Sequence, residues 1–234
     1  MLLIHFHGAS WLVEHQVRER LPQAVLITVH LGAGSRVYAG AFSEGGRLAQ
    51  LIDEASTQVN AKFGKPVRFD LVALTSFSAG YGAIRSILRH PDQYDQVDAV
   101  LLADSLHAGY ATEAAGARVA DQPITTSDLD VFLTFAGDAV AARKRLLITH
   151  SEVFPGTFAS TTETADALLR HVGLARRPVL RAGPIGMQNL SEARRGELQL
   201  LGFAGNSAPD HMDHLYGLGD HLRSLTVSLH GKRR

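Results

Sequence analysis

Residues 71–90, LVALTSFSAGYGAIRSILRH, allow few backbone paths. Leu71, Val72, Ala73 and Leu74 make an unbroken apolar run, the pattern of a strand buried on both faces. Ile84, Ile87 and Leu88 recur at helical spacing. Only Ser76-Phe77-Ser78-Ala79-Gly80 separates the two patterns. A chain that passes so quickly from strand to helix packs its backbone tightly about the turn. Small residues are then required two positions either side of the tip, and Ser76 and Gly80 meet that need around Ser78. The pattern predicts a strand–serine–helix elbow with serine in place of the usual first glycine. The tip hydroxyl of such an elbow stands clear of the sheet, above a helix N-terminus that favours developing negative charge.

The rest of the chain reads as alternating elements. Strands are expected at 2–6, 24–29, 67–75, 97–103, 145–149 and 197–203. Ser10 is placed to cap a helix carrying Val13, Val17 and Leu21. Further helices are expected at 45–62, from 129 to 140, from 165 to 172 and at 218–229. Residues 35–44, 151–160 and 205–213 read as loops, and 174–192, rich in Arg, Pro and Gly, shows no clear period. Residues 107–127 read as an irregular, Ala- and Gly-rich loop expected to cover an open cleft. The alternation predicts an α/β fold: one mostly parallel sheet of about six strands with helices on both faces. With no linker or repeat in view, one domain spanning 1–234 is expected.

Composition removes several classes of function. Lys plus Arg equals Asp plus Glu at 23 each, so no broad field favours nucleic acid or an anionic membrane. No apolar run approaches the roughly 18–20 residues of a membrane span. The start, MLLIHFHG, is too short and histidine-rich for a secretory signal. The absence of cysteine excludes disulfides, thiolate metal sites and a cysteine nucleophile, and fits a cytoplasmic protein.

Three short motifs follow in order: His7-Gly8-Ala9 after the first strand, the Ser78 elbow, and Asp210-His211-Met212-Asp213-His214 after the last strand. In this order of motifs and elements the chain resembles the α/β-hydrolase family. The resemblance implies Ser78 as nucleophile, His211 as base, and the N–H groups of Ala9 and Ala79 as oxyanion donors. It implies a sheet lacking the family's first two strands, either minimal or cut short ahead of Met1. It further implies a serine hydrolase, carboxylesterase-like, that acts on a small-molecule ester through an acyl-enzyme and needs no cofactor. A serine hydroxyl does need a base within hydrogen-bond reach, and an imidazole that takes and returns a proton suits that role.

The acid is open between two carboxylates. Most members of the family carry it after the next-to-last strand, where Glu152 is available and Phe154 stands in the expected place. A minority carries it one strand earlier, where Asp104 ends the apolar run VDAVLLA. Asp104 is favoured, because a carboxylate at the end of so apolar a strand needs a partner. His214 is the alternative base, and two other classes stay open: a non-catalytic binding protein on this scaffold, and an amidase, thioesterase or acyltransferase. His5 and His7 are expected to be structural, with their rings on loop backbone, and Trp11 is expected in the core. His107 and His150 are open between lining the pocket and satisfied structural roles. Arg176-Arg177 and Arg194-Arg195 are expected as solvated charge. No metal site is expected, since the spacing of His211 and His214 puts both rings on one face only in a helix, and Pro209 and Gly205 favour a loop there. Oligomeric state is left open.

Overall fold

The computed structural model describes residues 1–111 and 123–226. Most of the expected covering loop, 112–122, and the last residues of the expected closing helix, from 227, lie outside the described residues.

Eight strands form one sheet: β1 Leu2–Phe6, β2 Val25–Val29, β3 Val72–Phe77, β4 Ala99–Ala103, β5 Arg145–His150, β6 Arg177–Ala182, β7 Gln188–Arg195 and β8 Leu198–Phe203. Their order is β2-β1-β3-β4-β5-β8-β7-β6. The first five strands and β8 pair in parallel, while β7 runs antiparallel to both β6 and β8. The six expected strands are present, and the expected total of about six is corrected to eight. The additional pair comes from the aperiodic 174–192 segment and its continuation. There β6 is an edge strand with most residues exposed, so burial imposes no alternation on its sequence.

The helices are α1 Ser10–Arg20, α2 Ser35–Ala41, α3 Arg47–Phe63, α4 Tyr81–Leu88, α5 Pro91–Gln96, α6 Asp130–Val140, α7 Thr161–His171, α8 Ala208–Tyr216 and α9 Leu218–Leu222. Side chains alternate across the sheet. Leu2, Ile4, Phe6, Leu74 and Val100 join one apolar cluster, with α4, α6 and α7. Leu3, Ala73 and Leu101 join the other, with Val13 and Val17 of α1 and Leu218 and Leu222 of α9. Helices therefore cover both faces, as the alternation of elements requires.

Two expected loops are helical. Residues 35–41 form α2, and most of the expected 205–213 loop lies in α8. Pro209 falls in the first turn of α8, where its missing N–H removes no helical bond. The side chains and backbone of Ser207 and Asp210 satisfy the helix start reciprocally. Ser10 begins α1 without capping it; Ala9 occupies the cap position. Trp11 is 70% exposed, not core. It lies on the first turn of α1, and the buried stripe starts at Val13. Trp11→Ala is accordingly expected to shift stability by no more than about 0.5 kcal/mol in a thermal melt.

The elbow forms as predicted. β3 ends at Phe77, Ser78–Gly80 makes one tight turn, and α4 follows at Tyr81. A Cβ on Gly80 would collide with the Phe6 carbonyl oxygen of the neighbouring strand. Because that neighbour is backbone in a central strand, it has little room to yield. Gly80→Ala is expected to destabilise the protein by roughly 3 kcal/mol, read as a lowered urea midpoint at unchanged slope. A midpoint equal to wild type would show that the turn does not need this close approach.

Candidate active site

His7, Ser78 and Asp104 follow the C-terminal ends of the adjacent strands β1, β3 and β4. All three adopt left-handed backbone, with φ of 70°, 48° and 43°. Strained positions of this kind cluster where a fold holds chemistry in place. Ser78 is half-buried at the elbow tip. The N–H of Ala79 follows it in the turn, and that of Ala9 opens α1 beside β1. Among the described residues, neither N–H is taken up by an acceptor.

Asp104 is the most heavily engaged side chain at this edge. It is 1% exposed. Its Oδ2 accepts from His211 Nδ1 at 2.6 Å and from Ser151 Oγ at 2.6 Å. Its Oδ1 accepts from the Ser151 N–H at 3.0 Å and from Thr161 Oγ1 at 2.5 Å. Burial alone would raise this carboxyl, but the hydrogen bond from His211 and the nearby imidazole of His214 outweigh it and hold the group well below the usual carboxylate range. Asp104 is thus a fixed carboxylate. Glu152, the alternative acid, is exposed on the loop after β5.

His211 lies in the first turn of α8, on a helix rather than the expected loop. Its ring stacks on Phe77 with centroids 4.5 Å apart, next to Ser78 in sequence. With Nδ1 donating to Asp104, the Nε2 lone pair is left available. His214 differs. It is buried, its Nδ1 is bonded to Thr149 Oγ1 at 2.7 Å, and burial pushes it down to about 4. The structure joins Asp104 to His211 and keeps His214 on a threonine.

The helix does put His211 and His214 on neighbouring turns, so the condition for a shared metal is met by spacing. Each ring bonds a different group through its Nδ1, and the Asp210 carboxylate is held by Ser207. Among the described residues no group of three or more metal-ligating side chains assembles.

Of the other histidines, His5 bonds loop backbone as expected and His7 does not. His5 Nε2 donates to the His7 carbonyl at 2.7 Å, and its Nδ1 accepts from Thr75 Oγ1 at 2.8 Å, a structural role. His7 instead bonds the Tyr38 hydroxyl at 2.9 Å and stacks against Phe77. His107 packs between Tyr81 and Phe158. His150 is buried, with Nδ1 directed at the Ser151 carbonyl and Nε2 at Arg176. Arg176 is therefore a correction to the expected solvated pair. Its side chain is 20% exposed and bridges His150 and Asp166, whereas Arg177, 68% exposed, pairs with Glu192 on the outer hairpin.

No protein-family model matches this chain, and no curated protein matches it. Solved structures that are similar in part include the following two. The product of the Listeria innocua gene lin2722 gives a TM-score of 0.41 at 11% identity, covering 72% of this chain and 77% of its own. The metagenomic carboxyl esterase MGS0156 gives 0.29 at 15% identity, covering 65% of this chain and 50% of its own. At these scores neither similarity bears on activity, and the functional reading rests on the residues themselves.

Sequence reasoning gave no role to Ser105, Thr149, Ser151 or Thr161. Hydroxyls just past strand ends are common, and nothing in their local pattern separates a hydroxyl that holds a carboxylate from one that faces water. No helix among the described residues is long and apolar enough to cross a membrane.

Proposed function

We propose that this chain is a serine hydrolase acting on carboxylic esters, with Ser78 as nucleophile, His211 as base and Asp104 as the acid. The observation that carries the reading is the 2.6 Å bond from His211 Nδ1 to the buried Asp104 carboxylate, beside a serine on left-handed backbone at the end of the adjacent strand. A buried carboxylate on Nδ1 fixes the tautomer and stabilises the imidazolium that forms when Nε2 takes a proton.

The steps follow from those roles. Ser78 Oγ attacks the ester carbonyl carbon as its proton passes to His211 Nε2. The carbonyl oxygen becomes an oxyanion, received by the N–H groups of Ala9 and Ala79. The carbon–oxygen bond to the alcohol breaks, and the imidazolium returns its proton to the leaving alkoxide. Water then attacks the acyl-enzyme, giving its proton to His211, and Ser78 leaves with that proton. No step calls for a metal or organic cofactor. The substrate is a small-molecule ester, and one domain and a cytoplasmic setting accompany the reading.

The test is turnover of p-nitrophenyl acetate and butyrate with Ser78→Ala as control, alongside labelling by a fluorophosphonate. The expected result is turnover and a label on Ser78, both absent in the variant. Equal rates for the two proteins together with an unlabelled Ser78 would overturn the reading.

A further inference from the structure

The elbow departs from its usual form at position 76, where a serine replaces glycine, and the structure gives that hydroxyl a partner. Ser76 and Ser105 are both fully buried, with their Oγ atoms 2.8 Å apart. Ser105 Oγ also lies 2.7 Å from the Ser78 carbonyl oxygen, which can only accept. The direction of both bonds is then determined. Ser105 donates to the Ser78 carbonyl, so Ser76 must donate to Ser105. Two hydroxyls in series polarise one another, and in a dry site each bond is stronger for it.

The carbonyl so held belongs to the same peptide unit as the Ala79 N–H. A trans peptide is planar, with its C=O and N–H pointing in opposite directions. A clamp on the oxygen therefore fixes the direction of the hydrogen. Ser105 reaches this peptide because Asp104, on left-handed backbone, turns the chain after β4 back across the end of β3. The residue following the acid thus closes on the nucleophile's own peptide.

We propose that Ser105 is a positioning residue for the oxyanion donor: through the Ser78 carbonyl it aims the Ala79 N–H, with Ser76 as the outer link. This rests on the ester-hydrolase reading. A donor that must meet charge appearing only in the transition state gains from being held before reaction, and misdirection weakens transition-state binding more than substrate binding.

The experiment compares wild type with Ser105→Ala, Ser105→Thr and Ser76→Gly. For Ser105→Ala, kcat on p-nitrophenyl butyrate is expected to fall about tenfold with KM within about twofold. A trifluoromethyl ketone adds to Ser78 Oγ and places an oxyanion at the same donors, so its Ki is expected to weaken by about the same factor as kcat falls. Ser105→Thr, which keeps the hydroxyl, is expected to restore both, and Ser76→Gly to show a smaller loss. A purely structural role would lower the melting temperature without moving Ki relative to KM. An unchanged kcat and Ki in Ser105→Ala would overturn the proposal.

The carbonyl carbon resonance of Ser78 and the amide resonance of Ala79 read the clamp without catalysis. Both are expected to shift in Ser105→Ala, and unmoved resonances would overturn the clamp whatever the activity. Shifted resonances in a protein whose wild type neither turns over esters nor labels at Ser78 would uphold the clamp and remove the hydrolase reading. Should Ser105→Ala not fold, Ser105→Cys, of similar size with a weaker donor, takes its place in each measurement.

Discussion

The Asp104→Asn protein is expected to turn over p-nitrophenyl esters about 10⁴-fold more slowly than wild type, while Glu152→Gln stays within about twofold. The asymmetry follows from what each group touches. Asp104 accepts four hydrogen bonds, from His211, from the Ser151 N–H and hydroxyl, and from Thr161. An amide offers one acceptor oxygen and one donor NH₂. Whichever way it sits, its NH₂ faces two groups that are themselves donors. Facing His211, it drives the proton from Nδ1 to Nε2, and the lone pair that the proposed attack by Ser78 needs is lost. Facing Ser151, it leaves the turn after β5 without its acceptor. A fall in melting temperature is therefore expected with the fall in rate, and kcat measured well below that temperature separates the two. Comparable losses for Asp104→Asn and Glu152→Gln would return the acid to the later strand.

Acid is expected to unfold this protein well before its carboxylates titrate. Burial pushes His5, His150, His214 and His221 each down to about 4 from an unfolded value near 6.5. A group whose folded value lies below its unfolded value contributes stability above the unfolded value and loses it as pH falls toward the folded one. Each imidazole therefore withdraws roughly 3 kcal/mol across that interval. All four act in the same direction, so their joint effect is large against the small net stability of an ordinary domain. Asp104 acts in the same direction, but its window lies below the unfolded carboxylate value, after the histidines have titrated. The urea midpoint followed by circular dichroism is expected to be level above about pH 7 and to fall steeply between about pH 6.5 and pH 4.5, with net proton uptake on unfolding. A midpoint that stays level to about pH 4.5 would show that these imidazoles already reach solvent or charge in the folded state.

The elbow was legible because two strong periodicities meet there with only five residues between them, and close packing leaves few residue types that fit. The collision awaiting a Cβ at Gly80 is the same constraint seen in three dimensions. The central strands were legible for a similar reason: buried on both faces, they hold continuous apolar runs. The outer hairpin was not. β6 is held by ladder bonds on one side only and shows its side chains to water, so Arg177, Leu180 and Arg181 carry no pattern that separates a strand from a loop. α8 was missed for a different reason. Pro209 and Gly205 read as breakers, yet a proline in the first turn starts a helix as well as it ends one.

Local sequence could show that a serine tips a turn, that an aspartate ends a buried strand and that histidines follow the last strand, because each of those statements concerns neighbours along the chain. It favoured Asp104 over Glu152 and His211 over His214 without fixing either choice. Those choices turn on which groups meet across the ends of β4, β5 and α8, and contacts between residues 107 positions apart leave no mark on local spacing. The serine bridge from 76 through 105 to the carbonyl of 78 was hidden for the same reason. Its three members are ordinary small polar residues until the turn after β4 brings the hydroxyls of 76 and 105 and the carbonyl of 78 together.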